Sequence, residues 1–229
     1  MKRIVVMTGA GISAESGIRT FRETGGLWEE YDVMEVASPE GWRRDPELVL
    51  NFYNQRRRQL LEVEPNAAHR ALVDLEKKYD VHIVTQNIDD LHERAGSANV
   101  VHLHGELRKM RSVKNPRLIY DCDGDIKWGD HCEEGGQLRP LIVWFGEMVP
   151  MLEVAAGITV DADICIIVGT SMQVYPAAGL IGYAPPHAQV YYVDPNPAIN
   201  YELARNQNLT VLAENATTGV RKVVDQLLS

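Results

Sequence analysis

The sequence predicts an α/β fold, a doubly wound parallel Rossmann-like sheet with a small irregular or helical insertion module, and three observations carry that expectation. Short apolar runs of strand length alternate with amphipathic stretches of helix length, as βαβ units with right-handed crossovers do. The first run, Ile4 to Met7, passes straight into the glycine-rich turn Thr8-Gly9-Ala10-Gly11-Ile12-Ser13. Polar or glycine-rich clusters then end one strand after another, at Gln86 to Asp89, His104-Gly105, Gly169 to Ser171 and Asp194. Doubly wound sheets bind ligands at the carboxyl ends of their strands, so these turns converge on one crevice.

The elements follow in order. After Ile4 to Met7, Gly9 can supply the positive φ of a tight turn, Gly11 lets the backbone approach a ligand, and Ala14 is small enough for helix and strand to pack. A pyrophosphate would sit on the backbone N–H groups at the start of a helix near Ile12. A plain tight βα turn explains the same glycines. No acidic residue ending a second strand lies about 20 residues on, where a dehydrogenase would bind ribose. Asp45-Pro46 reads as an N-cap and first helical residue, opening a helix with Leu48, Phe52 and Leu60 on one face that closes near Glu64-Pro65. A second helix runs from Asn66 through Ala68, Leu72, Leu75 and Tyr79. Val81 to Thr85 is a buried strand, Gln86 to His92 opens another helix, and Val100 to Leu103 is a third strand. Residues 108 to 140 lose periodicity and read as irregular. Leu141 to Glu147 resumes the regular pattern and is expected to end a strand at the same sheet edge. A helix near Leu152 to Val160, strands at Asp163 to Val168 and Val190 to Val193, a short strand near Val211 and a helix from Thr218 to Leu228 complete the chain. The Rossmann-like core is thus about 1–19, 80–107 and 141–229, and the small module about 20–79 and 108–140.

Composition bounds the function. At 229 residues with 45% hydrophobic and 24% charged residues, the chain suits one catalytic-size domain. A formal charge of −9 argues against nucleic acid as the main partner. Three cysteines are too few for a disulfide framework. No apolar stretch reaches the ~18 residues of a membrane span and nothing near Met1 reads as a signal peptide, so a cytoplasmic monomer is expected.

Taken together, the motifs resemble the sirtuins, NAD-dependent protein-lysine deacylases. They are Thr8 to Ser13 continuing through Gly17-Ile18-Arg19-Thr20-Phe21-Arg22, Thr85-Gln86-Asn87-Ile88-Asp89, His102-Leu103-His104-Gly105, Val143-Trp144-Phe145-Gly146-Glu147 and Gly169-Thr170-Ser171. Order and spacing span nearly the whole chain, and the likeness is greatest to the bacterial class III branch, which removes acidic acyl groups such as succinyl. The resemblance implies that the acyl-lysine carbonyl oxygen displaces nicotinamide from NAD, which is consumed. His104 then activates the ribose 2′-hydroxyl, and the acyl group leaves on ADP-ribose. An imidazole of ordinary pKa near 6.5 suits that base role, although a lone histidine is as readily a capping group. Asn87 and Asp89 match the catalytic positions that order ribose and nicotinamide; either could also cap a helix.

By the same likeness NAD contacts fall on Gly9, Ala10, Gly11, Ile12, Ser13, Glu15, Ile18, Arg19, Thr20, Phe21, Arg22, Trp28, Gln86, Ile88, Gly169, Thr170, Ser171, Asp194 and Ala216, with residues 18 to 28 a lid. Acyl selection is assigned to Tyr53 and Arg56, three apart on one helix face, where a guanidinium fork and a phenol hydroxyl suit a carboxylate tail. Ala37 leaves room for that tail, and Val174 and Tyr175 border the substrate. The alternative for Arg56 is a solvated basic face continued by Arg57 and Arg58. Val143 to Glu147 would pair with an extended acyl-lysine peptide, or place Trp144 and Phe145 in the core. Cys122 and Cys132 lack the paired spacing of a structural zinc site, so zinc is expected to be absent, with a site that adds His131 and an aspartate as the alternative. A nicotinamide-dependent oxidoreductase and a non-catalytic ADP-ribose or NAD sensor are the competing functions, with mono-ADP-ribosyl transfer as a side activity.

Overall fold

A computed structural model describes residues 1–20 and 30–229, so Phe21, Arg22 and Trp28 lie outside the described residues. In chain order the elements are β1 (Arg3–Thr8), α1 (Gly11–Ala14), α2 (Val33–Val36), α3 (Pro39–Arg44), α4 (Pro46–Glu62), α5 (Ala67–Leu75), β2 (Asp80–Thr85), α6 (Leu91–Ala95) and β3 (Val100–His102). They continue with β4 (Gly105–Ser112), β5 (Ile119–Asp121), β6 (Leu138–Ile142), α7 (Leu152–Thr159), β7 (Ile164–Val168), a 3₁₀ helix (Ala177–Tyr183), β8 (Gln189–Val193), α8 (Tyr201–Ala204), β9 (Leu209–Leu212) and α9 (Ala216–Leu228).

Six strands form one parallel sheet in the order β3-β2-β1-β7-β8-β9. This is the doubly wound order in which the winding reverses between the first and fourth strands, and the crevice opens there. Alternation along the strands sorts the core into two layers. Ile4, Val6, Ile83, Ile166 and Val168 pack under α5 and α9, against Leu72, Leu75, Val220, Val223 and Val224. Val5, Met7, Val84, Cys165 and Ile167 face Ala155 of α7 and Leu180 and Ile181 of the 3₁₀ helix. Caps fall where the side chains dictate. The Asp45 carboxylate accepts from Leu48 N at 2.9 Å and starts α4. Asn66 forms a reciprocal capping box with His69 at the start of α5.

The stretch 108–140, expected to be irregular, is instead built on a three-stranded antiparallel sheet, β5-β4-β6. Its signal is hidden because β4 carries Arg108, Lys109 and Arg111 and is mostly half-buried, so no clean apolar alternation appears. The strand before Val143 belongs to this sheet through β6, and not to the parallel sheet as expected. Gly105 makes the turn from β3 into β4 at φ +88°, where a Cβ would fall against the Leu141 carbonyl. Helix α4 holds the small sheet in place. Its Arg57, which the alternative reading of Arg56 placed on a solvated face, is 1% exposed. Arg57 donates to Leu107 O at 2.8 Å, Asn54 Oδ1 at 2.8 Å and Gly124 O at 3.1 Å. Arg58, by contrast, pairs with Asp125 at the surface. Cys122 and Cys132 are buried beside Leu50, Ile126 and Leu138, with the Cys132 thiol donating to Ser112 Oγ at 3.2 Å. Among the described residues no group of three or more His, Cys, Asp or Glu is placed to hold a metal.

Candidate functional site

The carboxyl ends of β1, β2 and β7 stand level, since Thr8 pairs with both Thr85 and Val168. Above them, between the two sheets, lies a cleft of about 650 Å³, within the range of small-molecule sites. Its floor is the meeting of two glycine turns. A Cβ on Gly9 would come within 2.7 Å of Gly169 O and Thr170 Cβ, and one on Gly11 within 2.7 Å of Gly169 Cα. The left-handed residue is Gly169, φ +61°, and not Gly9 as the turn suggested. Both N-terminal glycines are therefore required by the close approach of the β7 turn. Three of the amides expected here as unpaired donors already have partners. Gly11 N donates to Gly169 O at 2.9 Å, Ile12 N to Gly9 O and Ser13 N to Ala10 O. What the turn contributes is a backbone surface with no side chain standing on it.

Beneath that floor lies a buried polar network. Ser13 Oγ donates to Asp89 Oδ2 at 3.0 Å and accepts from Asn87 Nδ2 at 3.2 Å. Asp89 Oδ1 also accepts from Leu91 N, at 3.2 Å. Asp89 is 6% exposed, and burial raises its carboxyl pKa to about 6 against the opposing bonds from Leu91 and Ser13. His69, behind Ser13, is pushed down to about 4 by burial, with Arg70 adding to the effect. Asp89 and Ser13 do not line the cleft; they hold Asn87, which does.

His104 reaches the cleft from the β3–β4 turn, and its Nδ1 lies 3.0 Å from Gln86 O. A carbonyl can only accept, so Nδ1 carries the hydrogen and Nε2 keeps its lone pair. Burial lowers the His104 pKa, partly offset by that bond, which keeps the ring neutral and basic at neutral pH. The next side chain along, Gln86, donates to Thr170 Oγ1 at 3.1 Å and bridges the two halves of the floor.

At one end the cleft is walled by Ala37, Phe52, Tyr53, Arg56 and Val143 to Glu147. Tyr53 is 3% exposed and burial raises its pKa, so its hydroxyl stays a donor. The Arg56 guanidinium stands 4.4 Å over the Phe52 ring and donates to Phe52 O at 3.2 Å. The Arg139 guanidinium carbon stands over the Trp144 indole, 3.2 Å from a ring centroid, and the group donates to Glu147 at 2.8 and 3.2 Å. Trp144 is 2% exposed while Phe145 is 44% exposed, so one is core and the other surface. The peptide N–H of Phe145 is already bonded to Ala37 O, and that of Val143 to His104 O. One buried donor on this wall, Arg56 Nε, has no hydrogen-bond partner among the described residues, while the Trp144 indole interacts with the Tyr53 hydroxyl.

The cleft also gathers Ala10, Thr20, Ile88, Ser171, Val174, Tyr175, Asp194 and Ala216, all expected from the sequence. Besides Ser13 and Asp89, three expected cofactor residues stand elsewhere. Ile12 is wholly buried in the core under the sheet, Ile18 packs against the α4 cluster, and Arg19 pairs with Glu30 at 2.9 Å. Glu15 borders the cleft, but its carboxylate takes Thr217 N at 2.9 Å and Thr217 Oγ1 at 2.7 Å, capping α9. Sequence reasoning missed Ala14, Phe52, Ile142, Val149, Pro176, Pro195, Asn196 and Asn215 as lining residues. Most sit one position from an expected residue, and Phe52 could have been found as the residue four before Arg56.

Comparison with known proteins agrees with this geometry. The family model described as the Sir2 family matches residues 9–176. The chain is 54% identical over 228 residues to an NAD-dependent protein deacylase of Helicobacter pylori, covering 100% of this chain and 96% of that one. It is 52% identical over 234 residues to one of Bacteroides thetaiotaomicron, covering 100% and 99%. Among solved structures, a mutant Sir2 homologue in complex with ADP-ribose superposes with a TM-score of 0.90 at 36% identity, covering 99% of this chain and 92% of that one. A Sir2 homolog–NAD complex gives 0.88 at 37% identity, covering 99% and 90%. A Sir2 enzyme with a deacetylated p53 peptide and 3′-O-acetyl ADP-ribose gives 0.84 at 29%, covering 97% and 92%.

Proposed function

The chain belongs to the Sir2 family and is an NAD-dependent protein deacylase, and on that premise we propose that the acyl groups it removes from lysine are chiefly acidic, succinyl and malonyl, with acetyl removed more weakly. The observation that supports the acidic preference is the buried Arg56 Nε, without a hydrogen-bond partner among the described residues, on a wall that also carries the Tyr53 hydroxyl. Leaving a buried donor unsatisfied costs about 1–3 kcal/mol, and a carboxylate tail would relieve that cost.

The residues present fit NAD. The glycine floor leaves bare backbone at Gly9, Gly11 and Gly169 facing the cleft, whose volume of about 650 Å³ lies within the range of small-molecule sites. Bound NAD supplies a ribose carbon from which nicotinamide can leave, and the products are nicotinamide and O-acyl-ADP-ribose. His104 takes a proton at Nε2, its Nδ1–H being fixed by Gln86 O. Asn87 offers its amide to the cleft with one N–H committed to Ser13. Asp89 holds Ser13 and the loop after β2 in register from behind. The Arg139–Glu147 pair stiffens the Trp144–Glu147 turn that borders the acyl-lysine.

A panel of acetyl, malonyl, succinyl and glutaryl lysine peptides with NAD, read by mass spectrometry, tests the preference. In the variant Arg56→Met, the loss of charge-assisted hydrogen bonds worth about 1.5–3 kcal/mol should lower kcat/KM for succinyl-lysine about ten- to hundredfold and spare acetyl-lysine. Equal loss on both substrates would overturn the assignment of Arg56.

A further inference from the structure

Two histidines, His102 and His104, flank Leu103 at the turn from β3 into β4, and each takes a carbonyl of the loop after β2. His104 Nδ1 lies 3.0 Å from Gln86 O and His102 Nδ1 lies 3.0 Å from Asn87 O, so successive residues are gripped by the same ring atom. The second nitrogens differ. His102 Nε2 lies 2.7 Å from the Glu93 carboxylate in the middle of α6, and the His102 side chain is only 8% exposed.

A carbonyl and a carboxylate are both acceptors, and a neutral imidazole has a single N–H, so the two bonds of His102 can coexist only when both ring nitrogens carry hydrogen. We propose that His102 is a positioning residue of the deacylation reaction: as an imidazolium anchored by Glu93, it fixes the Asn87 carbonyl and thereby the Asn87 side chain at the cleft. The inference rests on reading Asn87 as part of the NAD site. It gives the two histidines opposite charge states, neutral His104 to accept a proton and charged His102 to hold the loop.

The surroundings agree. Burial alone would lower the His102 pKa, but the Glu93 bond and charge, the Asn87 carbonyl and the charge of Glu106 raise it above the usual histidine value. Glu93 is held below its ordinary value; burial opposes this and the His102 bond outweighs it. The titratable groups facing the pair are Asp89 on the loop, Glu106 and Lys109 on β4, and the His92 ring on α6, which burial keeps neutral. A hollow of about 350 Å³ behind the loop, bordered by His102, Asp89, Glu106 and Lys109, gives solvent a route to this proton. The sign follows: the imidazolium is present below its raised pKa and lost above it, so the clamp opens on the alkaline side.

The test uses the full chain with ¹⁵N-labelled histidine. Imidazole ¹⁵N shifts, with His102 assigned by its absence in His102→Gln, should show both His102 nitrogens protonated at pH 7 and a titration midpoint that falls in Glu93→Gln. His102→Gln should lower kcat with NAD about tenfold while leaving the acid limb set by His104 in place. In Glu93→Gln the introduced amide can donate to Nε2 of a neutral ring, so this variant should keep more activity than His102→Gln and lose the alkaline limb. It also carries the test if His102→Gln does not fold. A neutral His102 at pH 7, or a His102→Gln enzyme with wild-type kcat and KM, would overturn the proposal. Failure of the wild-type enzyme to consume NAD would instead overturn the reading of the site, and the ¹⁵N result separates the two.

Discussion

Replacing Asp89 with asparagine should stabilise the protein at neutral pH while impairing its turnover. The carboxyl pKa is raised from 3.8 to about 6 because burial outweighs the bonds from Leu91 N and Ser13 Oγ. A shift of about two units at 1.36 kcal/mol each means that keeping Asp89 ionised costs roughly 3 kcal/mol. Asparagine removes that charge and keeps an acceptor for Leu91 N. Ser13 Oγ can turn to accept from the new amide, but its own hydrogen then lacks an acceptor, because Asn87 Nδ2 donates to it and His69 Nε2, 3.5 Å away, carries the ring hydrogen while Nδ1 accepts from Asn66 N. Set against about 1–3 kcal/mol for the unsatisfied hydroxyl, a net gain of up to about 2 kcal/mol is expected, read as a rise in Tm of about 2–4 °C per kcal/mol.

The pH dependence carries the sign. For Asp89 the folded-state pKa lies above the unfolded one, so the penalty is full above about 6 and vanishes below 3.8. The stability gap between variant and wild type should therefore close as pH falls from 7 to 4. His69 works in the opposite direction in both proteins. Its pKa is depressed to about 4, so stability is lost as pH falls from 6.5 toward 4, and His92, also depressed by burial, does the same. Only the difference between the two proteins isolates Asp89. Urea unfolding at pH 7 and at pH 4.5 measures it. A variant less stable than wild type at pH 7, or a gap that does not change with pH, would refute the reasoning.

His104→Ala should keep NAD binding, measured by calorimetry, while deacylation falls at least about a hundredfold, the usual worth of a general base. Because burial lowers the His104 pKa, the acid limb of wild-type kcat should have its midpoint below the ordinary 6.5, and a midpoint above that value would count against His104 as the base. Gly105→Ala should destabilise by at least about 2 kcal/mol, since φ is +88° and the methyl meets the Leu141 carbonyl; an unchanged Tm would contradict the turn geometry. Arg57→Met should cost about 3 kcal/mol by baring the buried acceptors of Leu107, Asn54 and Gly124, and a loss under about 1 kcal/mol in urea unfolding would show that they find other donors.

The parallel strands were legible because β1, β2, β7 and β8 are buried on both faces and read as continuous apolar runs. The helices α4 and α5 were legible from local chemistry, Asp45-Pro46 and Asn66, acting within one turn. The small sheet was not. Its strands carry arginine and lysine, and its core is completed by α4, whose Arg57 looked like one more surface charge. Site residues at strand ends, such as Asn87, His104 and Thr170, were found because strand ends put them at one edge of the sheet, and the resemblance assigned their roles. Ile12 and Arg19 were placed by the same resemblance, yet their side chains here go to the core and to Glu30.

Sequence alone determined the alternation of strands and helices, the caps and the positions of the polar turns, because each depends on residues within a few positions of one another. Only the tertiary structure decided why Gly9 and Gly11 must be glycine, since the atoms that exclude a Cβ belong to Gly169 and Thr170, distant in the chain. It decided likewise which histidine is neutral and which is charged. His102 and His104 are the same residue type in one short motif, and what separates them is that the second ring nitrogen of His102 meets Glu93, brought up by the folding of α6 against β3.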